Sequence, residues 1–271
     1  MARPGSPASA SAPLPTPQPA SADARAQEPS GLYLVPTPIG NLGDLSPRVL
    51  RLLAGADLIA CEDTRRTGML LQLTGIGRKR LVCLEAHRES SKLPELLDAL
   101  ERRQIVTLVS DGGTPCLSDP GLKLVQAAVA RNIPIISLPG PSAISAGWAA
   151  SGFPAPWTFY GFIARKGKAR RAVFEAIAGR EAEGALLFES PFRVIALLKE
   201  LCEDVKLSKR PLVLAQEISK IHERYHRGTA MELLPALEAR PSIKGEWTVM
   251  IGPAALDGSA DDSALVDGDS E

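Results

Sequence analysis

Several things are scarce in this sequence, and each scarcity closes off a class of function. Histidine occurs three times, at 87, 222 and 226, which leaves little material for a multi-histidine metal centre. The four cysteines, Cys61, Cys83, Cys116 and Cys202, are scattered with no C-x-x-C pair, so no disulfide framework is expected and reduced thiols of a cytosolic protein are. No apolar run approaches the length that crosses a bilayer. The first thirty residues are Ala, Pro and Ser with Leu14 as the one large aliphatic side chain, too little for a signal peptide's apolar stretch or for a core. Neither G-x-x-x-x-G-K-[ST] nor a G-x-G-x-x-G after the first strand is present, which removes support for triphosphate hydrolysis and for ordinary dinucleotide binding. The absence of G-x-S-x-G leaves serine hydrolase chemistry without an anchor.

One motif has to be weighed against these absences. His222-Glu223-Arg224-Tyr225-His226 is a literal H-E-x-x-H, which on a helix would place two zinc ligands one turn apart. Its flanks supply no wide apolar face and Gly228 interrupts soon after, so a polar strand or hairpin segment is expected instead.

What is present is a set of strand-end loops rich in Gly, Pro, Ser and Asp. Ser110-Asp111-Gly112-Gly113-Thr114-Pro115-Cys116-Leu117-Ser118-Asp119-Pro120-Gly121 follows the apolar run Ile105 to Val109. Val35-Pro36-Thr37-Pro38-Ile39-Gly40-Asn41-Leu42-Gly43-Asp44 follows Leu32 to Val35, and Leu138-Pro139-Gly140-Pro141-Ser142-Ala143 follows Ile133 to Ser137. Such turns at the C-terminal ends of strands are where parallel α/β sheets bind ligands. If the three strands are parallel neighbours, the loops line one crevice. Further strands are expected at Leu58 to Cys61 and Leu81 to Leu84. Helices are expected from Ser46-Pro47 onward and at about 65–74, 92–103 and 121–131.

After Gly152-Phe153-Pro154-Ala155-Pro156 the alternation restarts, with strands at Trp157 to Phe162, Ala185 to Phe188, Leu212 to Ala215 and Trp247 to Ile251 and helices near 168–179, 191–203 and 229–238. The expected organisation is therefore a tail at 1–30, one α/β domain at 31–152, a second at 153–253 and an acidic tail at 254–271. Charge follows the same division. The chain is formally neutral, but the N-terminal tail balances and the C-terminal tail holds six acids and no base, leaving +6 on the folded part. That excess is compatible with a polyanionic partner. Arg165, Lys166, Lys168, Arg170 and Arg171 crowd the segment after Tyr160-Gly161-Phe162, as either a solvated helix start or a surface for phosphates and stacked bases.

The strand-end loops, together with Cys61-Glu62-Asp63-Thr64-Arg65, resemble the ribosomal small-subunit RNA cytidine 2′-O-methyltransferases, a branch of the tetrapyrrole methylase superfamily. The likeness runs from about Gly31 to Gly252. It implies a two-domain α/β fold, with a mainly parallel N-terminal sheet and a mixed C-terminal one. It also implies S-adenosylmethionine in the cleft between them, a cytoplasmic homodimer, and methylation of a cytidine ribose in the decoding region of 16S rRNA, on the RNA or the small ribosomal subunit. By resemblance the cofactor contacts are Pro36, Asp111, Gly112, Gly113, Thr114, Pro115, Ser118, Pro139, Gly140, Ser142 and Ala143. Phe188 to Pro191, Glu217 to Lys220 and Gly245-Glu246 complete the cleft from the second domain.

Candidates for the proton-accepting group are Glu62, Asp63, Glu85, His87, Glu189 and Lys220. RNA contacts are expected from Arg65, Lys166, Lys168 and Arg170. No metal is required, because a thioether leaves readily from a sulfonium. The family usually has Ala where Gly112 stands and His where Arg66 and Phe192 stand. A tetrapyrrole methyltransferase of the same fold and a non-catalytic RNA-binding assembly factor are the rival functions.

Overall fold

The structure is a computed structural model that describes residues 28–85 and 89–255. His87 and most of the two expected tails lie outside the described residues. Five strands, β1 (Gly31–Leu34), β2 (Leu58–Cys61), β3 (Leu81–Cys83), β4 (Ile105–Val109) and β5 (Ile135–Ser137), form the first sheet in the order β3-β2-β4-β1-β5. Every pairing in it is parallel. Leu58 to Cys61 and Ile105 to Val109 are buried throughout, as strands covered on both faces must be.

The covers are helices with apolar stripes. In α1 (Pro47–Gly55) the Ser46 hydroxyl accepts from the Val49 amide at 3.2 Å and proline opens the first turn. Val49, Leu52 and Leu53 then face the sheet at helical spacing. The same face takes Leu71 of α2 (Thr64–Leu73). The opposite face is covered by α3 (Glu89–Glu101) and α4 (Leu122–Ala130) through Leu96, Leu97, Leu100, Leu124 and Ala128.

The second sheet, ordered β6-β7-β10-β8-β9, is mixed. β6 (Trp157–Phe162) runs parallel to β7 (Gly184–Glu189). β10 (Trp247–Ile251) is antiparallel to both β7 and β8 (Leu212–Gln216), and β9 (Arg224–Gly228) is antiparallel to β8 at the edge. One face carries α6 (Lys168–Gly179), α7 (Val194–Glu203) and α8 (Ala230–Glu238).

The other face is covered by α5 (Ala143–Ser151), a helix not expected from the sequence, which inserts Trp148 among Leu186, Val213, Ala215 and Met250. Gly147 permits the approach, since a β-carbon there would lie 3.3 Å from Met250 Sδ and from Thr248. The expected strand at 133–138 is shorter, Ile135–Ser137. The H-E-x-x-H residues lie in and before β9, and extended backbone cannot present the two histidines as a helix turn would. His226 instead stacks on Trp247, with centroids 5.8 Å apart. Among the described residues no cluster of three or more His, Cys, Asp or Glu could hold a metal ion.

Candidate active site

The strand order creates the site. From β1 the chain leaves toward β2 on one side, and from the adjacent β4 it leaves toward β5 on the other. Their outgoing loops therefore part at a topological switch point, the usual ligand crevice of an open parallel sheet. The two loops are bonded to each other at its base. Thr37 N–H donates to Gly113 O at 3.0 Å and Gly113 N–H to Thr37 O at 2.9 Å. The Thr37 hydroxyl donates to Ser110 O at 3.0 Å. Gly113, at φ +91°, adopts a backbone that side-chain-bearing residues avoid. Farther along the loop Cys116 and Ser118 are held left-handed as well, at φ 69° and 70°, a strain typical of functional turns.

A cavity of about 770 Å³ opens above this floor. Of the residues expected at a cofactor, Asp111, Gly112, Gly113, Thr114, Ser118, Ser142 and Ala143 line it. Pro36, Pro115, Pro139 and Gly140 do not. Pro36 is buried under Gly140, where a β-carbon would come within 2.7 Å of the proline ring, so this pair joins the β1 and β5 loops behind the wall. All three expected second-half segments contribute lining residues: Phe188 to Pro191, Ile218 with Lys220, and Gly245-Glu246. The halves touch directly as well. Ser219 donates its hydroxyl to Asp44, and the Lys220 chain lies over Gly40 where a β-carbon would collide with it.

The acid–base candidates separate by environment. Glu62 lines the cavity, and burial, with the charges of Asp111 and Asp63, pushes its carboxyl above the ordinary range. Asp119 also lines it and was not among the expected site residues. Burial, then the Glu62 charge, raises its carboxyl to about 6. Asp63 instead caps α2, accepting from the Arg65 amide at 2.8 Å and gripping the Arg65 guanidinium at 2.7 and 3.1 Å. Those bonds pull it down to about 2.

Glu85 is exposed and not among the lining residues. Glu189 is buried with its Oε1 against Arg193, Nε at 2.6 Å, and its Oε2 3.7 Å from Arg170. Burial works against the charge on Lys220, but bonds to Glu217 at 2.8 Å and Glu246 at 3.1 Å hold its ammonium above the usual range. Asp111 accepts from the Asp63 amide at 3.2 Å and from Arg66 at 3.1 Å, so its carboxylate anchors the β2 loop to the β4 loop.

The expected basic surface needs one correction. Lys166 and Lys168 are exposed, and Arg65 is exposed though paired with Asp63. Arg170 is buried, and its guanidinium meets Glu200 at 2.6 Å and donates to Ala164 O at 3.1 Å. It belongs to the core stripe of α6 with Phe174, Ile177 and Ala178, and a charge enclosed by such partners offers nothing to an outside phosphate.

Comparison with known proteins places this geometry. The profile of the tetrapyrrole (corrin/porphyrin) methylases matches residues 31–234. A protein named ribosomal RNA small subunit methyltransferase I from Streptococcus pyogenes serotype M18 is 39% identical over 237 residues, covering 87% of this chain and 81% of its own. One of the same name from Mesorhizobium japonicum is 40% identical over 244 residues, covering 90% and 81%. Among solved structures, a cobalt precorrin-4 methyltransferase superposes with a TM-score of 0.59 at 19% identity, over 82% of this chain and 95% of that one. The Thermus thermophilus uroporphyrin-III C-methyltransferase, complexed with S-adenosyl homocysteine, does so at 0.55 and 17%, over 83% and 98%. These two carry the fold.

Proposed function

The chain belongs to the tetrapyrrole methylase family and, within it, to the group of ribosomal RNA small subunit methyltransferase I; from that premise we propose that it transfers a methyl group from S-adenosylmethionine to the 2′-hydroxyl of a cytidine in the decoding region of 16S rRNA. The observation that carries the reading is the convergence of loops from three neighbouring parallel strands and three second-sheet segments on one cavity. Its volume suits a nucleoside-sized ligand, since such sites run roughly 300–1,000 Å³. Gly40, Gly112, Gly113 and Gly245 bring bare backbone to its wall, and Asp111, Ser142 and the α5 amides supply polar partners. These residues fit the donor. The reading brings with it two domains, 31–152 and 153–253, a homodimer and a cytoplasmic setting.

When bound, S-adenosylmethionine supplies an electrophilic methyl whose leaving group is a neutral thioether. The chain's own work is first positioning, which fixed loops with mutual hydrogen bonds perform by holding the attacking oxygen in line. Its second task is removing the hydroxyl proton, a step worth roughly 10²- to 10⁴-fold. Glu62 and Asp119 are the acceptors in this reading, because both face the cavity and both are more basic than ordinary carboxylates. Lys220, held charged by two carboxylates, orients rather than accepts.

The test is to incubate the protein with labelled donor and either small ribosomal subunits or naked 16S rRNA and to locate the label by mass spectrometry. Label on one cytidine ribose is the expected result. Label on a tetrapyrrole, or none anywhere, would overturn the reading.

A further inference from the structure

The ends of β6 and β7 carry more than a wall of the cavity. These strands are parallel neighbours, with Phe162 in register with Phe188, so the loops leaving them emerge side by side at the same sheet edge. Three rings run along that edge: Phe159 meets Phe188 at 5.2 Å and Phe188 meets Phe162 at 5.4 Å. Phe188 and Phe162 line the cavity, and Phe162 is 63% exposed. On the neighbouring loop Phe192 directly follows the lining residues Ser190 and Pro191 and is 92% exposed. A ring left this bare buries almost nothing against the fold and stands open to a partner.

Shortly after Phe162 the β6 loop and the first residue of α6 present Arg165, Lys166 and Lys168, all exposed. The loops are also fixed in place. Arg170 holds Ala164 O at 3.1 Å, Arg193 holds Ile163 O at 3.4 Å, and both guanidiniums converge on the buried Glu189. Cations beside uncovered rings, on a backbone fixed at Ile163 and Ala164, are the two parts of a single-stranded nucleic acid site.

We propose that Phe162 and Phe192 form a stacking platform for unpaired nucleobases of the RNA at the mouth of the cavity, with Arg165, Lys166 and Lys168 on the adjoining phosphates. The proposal rests on the reading of the chain as an RNA methyltransferase and adds to it how the acceptor strand is gripped. It also commits to single strands, because paired bases hide the faces that the rings would cover.

The experiment is fluorescence anisotropy with a labelled single-stranded RNA and with the same sequence as a duplex, across a series of salt concentrations. Phe192→Ala and Phe162→Ala are each expected to weaken single-strand binding about tenfold, within the range for loss of one stacked base, and to leave the salt slope unchanged. Lys166→Gln combined with Lys168→Gln should instead flatten the slope by roughly 0.7 for each phosphate that the protein no longer neutralises. Phe192→Trp should retain affinity. For transfer, Phe192→Ala should raise KM for RNA while the donor's Kd by calorimetry stays put.

Parent-like RNA binding by Phe192→Ala in a protein that still methylates RNA would overturn the platform alone. Loss of self-association in sedimentation, with RNA affinity intact, would do the same and assign the rings to contact between copies. Failure of the parent chain to bind or methylate RNA would overturn the platform together with the reading beneath it.

Discussion

The acidic first-sheet wall of the cavity and the aromatic second-sheet wall with its basic rim are built from different chemistry. The first-sheet wall gathers carboxylates, Asp111 and Asp119 on a β4 loop whose backbone is strained and glycine-bearing and Glu62 on the β2 loop, with Arg66 as the balancing cation among them. The second-sheet wall gathers rings, Phe162, Phe188 and Trp247, its cation Lys220 and its carboxylates Glu189 and Glu246 are paired, and the exposed Arg165, Lys166 and Lys168 stand outside it at the rim. An acidic, closely approached wall suits a cationic donor and the removal of a proton. A basic, aromatic rim suits a polyanion with exposed bases. The contrast teaches that charge on this protein has to be judged wall by wall, since the excess of +6 on the folded part conceals an acidic pocket behind a basic lip.

The sharpest way to break the contrast is at Arg170. If it belonged to the basic lip, Arg170→Ala would weaken RNA binding in a stable protein. Its burial beside Glu189 and Glu200 predicts a different outcome, a loss of about 1.5–3 kcal/mol of stability, because the buried Glu189 is left with Arg193 as its one counter-charge and Ala164 O loses its donor. Urea denaturation separates the two. Next in size is Asp111→Ala, which removes an acceptor for Asp63 N–H and Arg66 at once. Donor affinity in calorimetry should fall up to about 100-fold, the worth of one charge-assisted hydrogen bond, while RNA affinity at the other wall holds. A parallel fall in both would mean that the walls do not divide the labour.

A smaller effect concerns pH. Asp119 titrates at about 6 in the folded protein, above the roughly 3.9 of an unfolded aspartate. Its folded-state pKa is raised, so its contribution to stability is present below about pH 4 and is lost as pH climbs through 6. Asp119→Asn should therefore melt above the parent at neutral pH, with the gap closing toward pH 4. The rise of methyl transfer through pH 6 expected of the parent should be displaced in the variant. An unchanged rate profile would leave Glu62 as the acceptor.

Much of this was legible in the sequence because it is local. Apolar runs such as Leu58 to Cys61 and Ile105 to Val109 are buried strands as expected, and the three loops do leave parallel neighbours β4, β1 and β5. What escaped depends on distant partners. Ala143–Ser151 has small and apolar residues nearly all round and so shows no amphipathic period; its reason for being a helix is the second sheet that it covers. Asp119 stands in the loop after β4, but its place at the cavity follows from left-handed turns at Cys116 and Ser118 that no residue type announces. Arg170 was recoverable. Its spacing to Phe174, Ile177 and Ala178 is that of a helix stripe, and counting basic residues hid it.

The smallest effect tests how tightly the acidic wall is drawn. Gly112 lies between Asp111 and a glycine whose conformation is obligatory, yet its own φ is outside the left-handed region and a β-carbon would sit 3.4 Å from Pro38 O and 3.8 Å from Ile39 Cα. That is ordinary contact, so Gly112→Ala should fit without moving either loop. It should stabilise the protein by about 0.4–1 kcal/mol, by narrowing the unfolded chain's freedom, with donor affinity unchanged. Gly121→Ala is the internal control. At φ +121° its β-carbon would reach within 2.5 Å of Leu108 in the β4 core, so it should lower the melting temperature where Gly112→Ala raises it. If both lowered it, the wall would be tighter throughout than its contacts imply, and the close approach of backbone at Gly112 would itself be a requirement of the site.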